Sequence, residues 1–175
     1  MTSIIKVDQI QTAAGGVPTA ADLGLNVSGT VVQVVTAKPT VNTSFSSGSY
    51  TDATGFSVTI TPKFSNSLIV INISAQTTVN NTSLNAAHDY RLLRDGTTLR
   101  SARWYNYLNR ADYSADFYPP FLVYHQDTPS TTSAITYKLQ GRIYNGVDGG
   151  WTISEANGGG GDGSYGLMTV TEFAQ

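Results

Sequence analysis

The chain has 175 residues, of which 40% are hydrophobic and 13% charged, with a formal net charge of −2 and no cysteine. That length suits one domain of roughly 100–150 residues plus an extension. The composition excludes disulfides, thiolate catalysis and Cys-ligated metal, and it offers no basic field for nucleic acid. The charged share is well below the roughly 25% of an ordinary soluble protein, and Thr, Ser, Asn and Gly fill the vacated polar positions. No apolar run approaches the roughly 20 residues needed to cross a bilayer, so no membrane insertion is expected. The start, MTSIIKVDQIQ, has neither the positive head nor the apolar core of a secretory signal. Synthesis in the cytoplasm is the expectation.

Residues 1–28 are expected to form an N-terminal attachment arm, and residues 29–175 a β-sandwich domain. Within the arm, Ile4, Ile5, Val7 and Ile10 make a short β-like run. Ala13, Ala14, Gly15 and Gly16 then interrupt regular structure, and the stretch Pro18 to Gly24 suits one helical turn. Such a lead is too weak to fold alone and is read as needing another surface to order it. A disordered tail is the competing reading. Four β-branched apolar residues in the first ten positions speak against mere solvation.

From Gly29 onward the pattern is one of strands separated by turn residues. TVVQVVT (30–36) is the first. GFSVTIT (55–61) alternates, with Phe56, Val58 and Ile60 on one face. SLIVINISAQ (67–76) is apolar on both faces and reads as a central strand. Residues 88–94 and 97–104 flank Asp95-Gly96, which supplies the two positive-φ positions of a tight hairpin. Pro119 and Pro120 cannot donate to a ladder, which sends residues 117–124 to an edge or a bulge. ITYKLQGRIY (135–144) places Ile135, Tyr137, Leu139, Gly141 and Ile143 on one face. Residues 151–153 form a short strand, and in GLMTVTEFA (166–174) Met168, Val170 and Glu172 share a face. Residues 80–85, 127–130 and the GGGGDG run at 158–163 read as loops. Eight or nine strands at this spacing predict an all-β, antiparallel, jelly-roll-like sandwich with little helix.

The chemistry expected of an enzyme is missing. His88 and His125 stand in no metal-ligand spacing, and surface or hydrogen-bonding roles are expected for both. The single GGGGDG cannot supply a calcium shell alone. No nucleophile elbow occurs, and the pairs Asp112/Asp116 and Glu155/Asp162 read as solvated loop acids. No catalytic, metal or cofactor site is assigned, and no enzyme is expected. The cluster Trp104, Tyr105, Tyr107, Tyr113, Phe117 and Tyr118 offers rigid contact area with polar handles. It is open to three readings: rings filling a core edge, a subunit interface, or a glycan-contact platform.

The head SIIKVDQIQTAAGGVPTAADLGLNV, the following VVQVV, and the segments SLIVINISAQ, YRLLRDGTTL, YKLQGRI and LMTVTEFAQ resemble structural proteins of tailed bacteriophages, cyanophages in particular. The resemblance covers nearly the whole chain. It implies a homotrimeric virion protein without cofactor, either a capsid decoration (cement) protein or a tail fibre or tailspike tip. The short connection between lead and sandwich leaves no room for a shaft, which favours a cement protein on the outer capsid surface. The expected partner is then the major capsid protein, held by Ile4, Ile5, Val7 and Ile10. In the alternative, a tip module binds host cell-surface glycan through its aromatics.

Overall fold

Strand follows strand along the chain because apolar residues repeat at period two, burying one face of each and leaving the other outward. The computed structural model describes residues 15–17, 28–79, 85–107, 118–144, 150–154 and 166–175. Among them are ten strands and no helix: β1 (Val31–Ala37), β2 (Thr43–Phe45), β3 (Thr51–Ile60), β4 (Leu68–Val79), β5 (Asn85–Arg94), β6 (Thr97–Tyr107), β7 (Pro120–Asp127), β8 (Ile135–Ile143), β9 (Trp151–Ser154) and β10 (Leu167–Phe173).

All described pairings are antiparallel, and they nest. β5 pairs β6, β4 pairs β7, β3 pairs β8, β2 pairs β9 and β1 pairs β10. The described strands therefore form one long hairpin of five rungs, closed at the Asp95-Gly96 turn. Both turn residues have positive φ, 46° and 87°, as a two-residue hairpin loop demands. Folding this ribbon on itself adds the pairs β10·β4, β4·β9 and β5·β8. The result is a six-stranded sheet, β1-β10-β4-β9-β2 with β7 on the far edge of β4, and a four-stranded sheet, β3-β8-β5-β6. Leaving aside the β2·β9 rung, the orders β1-β10-β4-β7 and β3-β8-β5-β6 are those of a hairpin ribbon wrapped into a jelly roll.

The core lies between the sheets. The six-stranded sheet contributes Phe45, Ile69, Ile71, Ile73, Phe121, Val123, Trp151, Met168 and Val170, and the four-stranded sheet Phe56, Val58, Ile60, Leu92, Ile135, Tyr137 and Leu139. Trp151 is the largest fully buried side chain. Its ring lies 4.2 Å from that of Phe45, and its Nε1–H donates to the Arg142 carbonyl at 3.0 Å. Gly141 makes room for it, since a Cβ there would stand 2.5 Å from the indole.

Two inward polar groups are held by donors rather than by solvent. Glu172 is fully buried, and its carboxylate accepts from Gln33 Nε2 (2.5 Å), Ser67 Oγ (2.5 Å) and the amides of Lys63 (2.7 Å) and Phe64 (3.3 Å). Burial alone would raise its pKa. The donors outweigh burial and hold the carboxyl below its usual range. Asp127 accepts from Arg94 Nη1 at 2.8 Å and from Tyr137 Oη at 2.7 Å, bridging the two sheets. Burial first, and this bond second, drive the Tyr137 phenol far above its ordinary pKa.

Three expectations need correction. The strand over 67–76 is central, but its outer face shows exposed Asn72 and Ser74, since among the described residues no second layer covers that side. Asp127 is a locked strand residue rather than a loop acid. Of the two roles expected for His88, surface placement is overturned: it is fully buried, edge-on to Trp151 at 6.0 Å. The Pro119-Pro120 expectation stands, since β7 starts at Pro120 and pairs only with β4.

Candidate functional site

With both inner faces committed to the core, the described strands leave two outer faces for contact. Residues directly opposite across a ladder share a face, so the registers give each outer face row by row. On the six-stranded sheet one row is Leu122, Ser74 and Leu167. The next is Tyr124, Asn72, Thr169 and Thr36, followed by Gln126, Val70, Thr171 and Val34. Toward β9 the face continues through Thr78, Thr152 and Ser44. None of these residues carries a charge. Leu122 (72%), Val34 (53%), Tyr124 (52%) and Leu167 (44%) are exposed. Hydroxyls and aliphatic groups dominate, and this composition resembles an interface core more than a free surface, which normally carries many charges.

The outer face of the four-stranded sheet is the reverse. Its rows are Arg103, Asp89 and Arg142, then Ser101, Arg91, Gln140 and Asp52. Asp89 is nearly buried at the centre. Arg103 Nε donates to its Oδ1 at 2.6 Å, and Arg142 Nε and Nη2 donate to its Oδ2 at 2.8 and 2.7 Å. Burial pushes the Asp89 pKa up, but the two guanidinium groups more than offset this and keep it below the usual carboxylate range.

Two tyrosines pin the arginines from the side. The Arg91 and Arg142 guanidinium carbons lie 4.2 and 4.5 Å from the Tyr50 ring centre, and that of Arg103 lies 3.1 Å from the Tyr144 ring centre. Arg91 Nε donates to Gln140 Oε1 at 2.7 Å, and Lys138 Nζ to Asp52 Oδ2 at 3.0 Å. Gln140 also donates to Asp52, which lowers the Asp52 pKa. Tyr50, Asp89, Ser101, Ala102, Arg103 and Arg142 line an open concavity of about 320 Å³.

The sequence reading missed this cluster. The polar alternation of Lys138, Gln140 and Arg142 was visible in β8, but its partners Asp89 and Arg91 lie some fifty residues earlier in the chain. The arm residues Ile4, Ile5, Val7 and Ile10 lie outside the described residues, as do Tyr113, Phe117, Asp112, Asp116, Glu155 and the GGGGDG run. Trp104, Tyr105 and Tyr107 fall on edge strand β6 by backbone register, but their side chains lie outside the described set. Tyr118 is 46% exposed. Among the described residues, no group of three or more His, Asp or Glu is placed to hold a metal.

Neither a protein-family model nor a curated protein sequence matches the chain. Among solved structures, dimeric latent PorU of Porphyromonas gingivalis is similar at 9% identity and a TM-score of 0.49, over 85% of this chain and 13% of that one. The VP2 subviral particle of infectious bursal disease virus is similar at 19% identity and a TM-score of 0.38, over 81% and 33%. The Gt strain of the same virus gives 15% identity and 0.37, over 84% and 38%. This chain thus spans a minor part of the length of each. At these scores and identities none of the likenesses bears on what the chain does.

Proposed function

We propose that this protein is a capsid decoration protein of a tailed bacteriophage, a homotrimer on the outer shell that ties neighbouring copies of the major capsid protein together. The observation that carries the reading is the uncharged outer face of the six-stranded sheet. Without charges, such a face can be covered by protein with no ion to desolvate, and its hydroxyls keep hydrogen-bonding capacity across the joint.

The lead joins the sandwich beside this face. The Gly29 amide donates to the Ala174 carbonyl at 2.8 Å, and the chain then enters edge strand β1. Residues 1–28, through Ile4, Ile5, Val7 and Ile10, would add a strand to an exposed sheet edge of the capsid. Three arms on one trimer make the second and third contacts intramolecular, multiplying the affinity without chemistry.

Deletion of residues 1–24 tests the reading. It should leave a folded, soluble sandwich that no longer decorates particles, and retained decoration would reject the arm's role. Copy number separates shell from tail: hundreds per virion fit the shell, whereas a few dozen would move the protein to the tail.

A further inference from the structure

We infer that the concavity on the four-stranded sheet binds an acidic saccharide, its carboxylate taken by the arginines and its ring laid beside Tyr50. The inference does not rest on a capsid role. Arg91, Arg103, Arg142 and Lys138 oppose Asp52 and Asp89 here, four cations against two anions. This face is therefore positive by two charges on a chain whose formal net charge is −2, and it gathers four of the ten Lys and Arg residues.

The cations are also preorganised. Asp89 fixes Arg103 and Arg142 by charge-assisted hydrogen bonds, and Tyr50 supports both Arg91 and Arg142. Little rotamer freedom is left to lose on binding, and planar guanidinium groups present paired donors suited to a carboxylate. Arg91 is held through Nε by Gln140.

The remaining lining suits a sugar better than a small anion. The concavity is open and about 320 Å³, at the lower end of organic ligand sites. Of the lining, Ser101 is exposed and offers a hydroxyl beside the Tyr50 ring, while Tyr144, 41% exposed, stands outside it and stacks on Arg103. A nucleic acid is disfavoured by the formal net charge of −2.

Titration calorimetry on the full chain tests this, with trigalacturonate as probe and maltotriose as the neutral control. Trigalacturonate should bind, weakening as salt rises, while maltotriose should not. Arg91→Gln should weaken binding by about tenfold with an unchanged melting temperature, the loss of one charged hydrogen-bond donor. Tyr144→Ala, which spares the Asp89 pairs, should weaken it too. The inference fails if trigalacturonate shows no heat at about 10 mM, a level that would expose even weak affinity. It fails equally if maltotriose binds as well, if Arg91→Gln changes nothing, or if a single-stranded oligonucleotide matches the uronate.

Discussion

The two outward faces of this sandwich are made by the same alternation and end with opposite character. On the six-stranded sheet the outer positions are Thr, Ser, Asn, Gln, Leu, Val and Tyr. On the four-stranded sheet Arg, Asp, Lys and Gln are tied into a network, with Ser and Thr beside them. The core constrains only inward residues, so folding alone is indifferent to which outer face takes charge. The difference matches the two proposals: one face to be covered by protein, the other to meet water and small anions.

Removing the centre of the charged network breaks that contrast most severely. Asp89→Ala strands Arg103 and Arg142 around an empty position, and the cost should be about 2–3 kcal/mol, moderated because both guanidinium groups keep some solvent. Urea denaturation measures it. A loss below about 0.5 kcal/mol would reduce the network to ordinary surface pairs.

A smaller effect should appear in acid. Asp89 and Glu172 both have pKa values held below their usual range. Their folded states thus prefer the ionised form, and this contribution is complete above the unfolded value near ~4. It drains away as pH falls through the lower folded values. Thermal melts should accordingly drop toward about pH 3, and Glu172→Gln should flatten part of that drop. A variant that melts as steeply in acid as the parent would contradict the assignment.

The smallest change in stability belongs to the uncharged face. Leu167→Lys and Tyr124→Lys should each shift unfolding by about 0.5 kcal/mol or less, as exposed positions do. Their effect on assembly should be large, since each buries an unpaired ammonium in the joint. Particle-binding assays decide it: unchanged decoration by both variants would remove this face from the interface.

Much of this architecture can be read locally. Phe56, Val58 and Ile60 announce the inner face of β3, the odd residues of 135–143 that of β8, and Asp95-Gly96 the closed end of the ribbon. Glu172 is different. It lies in phase with Met168 and Val170, and its burial depends on Gln33, Lys63, Phe64 and Ser67 arriving from elsewhere. His88 gave no local sign of its place against Trp151, sixty-three residues further on.

The amino-acid sequence by itself determined that the chain forms strands, which side of most strands turns inward, and where its central hairpin turns, because these depend on neighbours within a few positions. Tertiary structure alone decided that ten strands nest as five rungs and that the arginines and tyrosines converge on Asp89. Those outcomes depend on ladders between residues as many as 142 positions apart, such as Val31 and Phe173. Such a pairing gains its free energy only when the whole ribbon wraps, so no local stretch contains it.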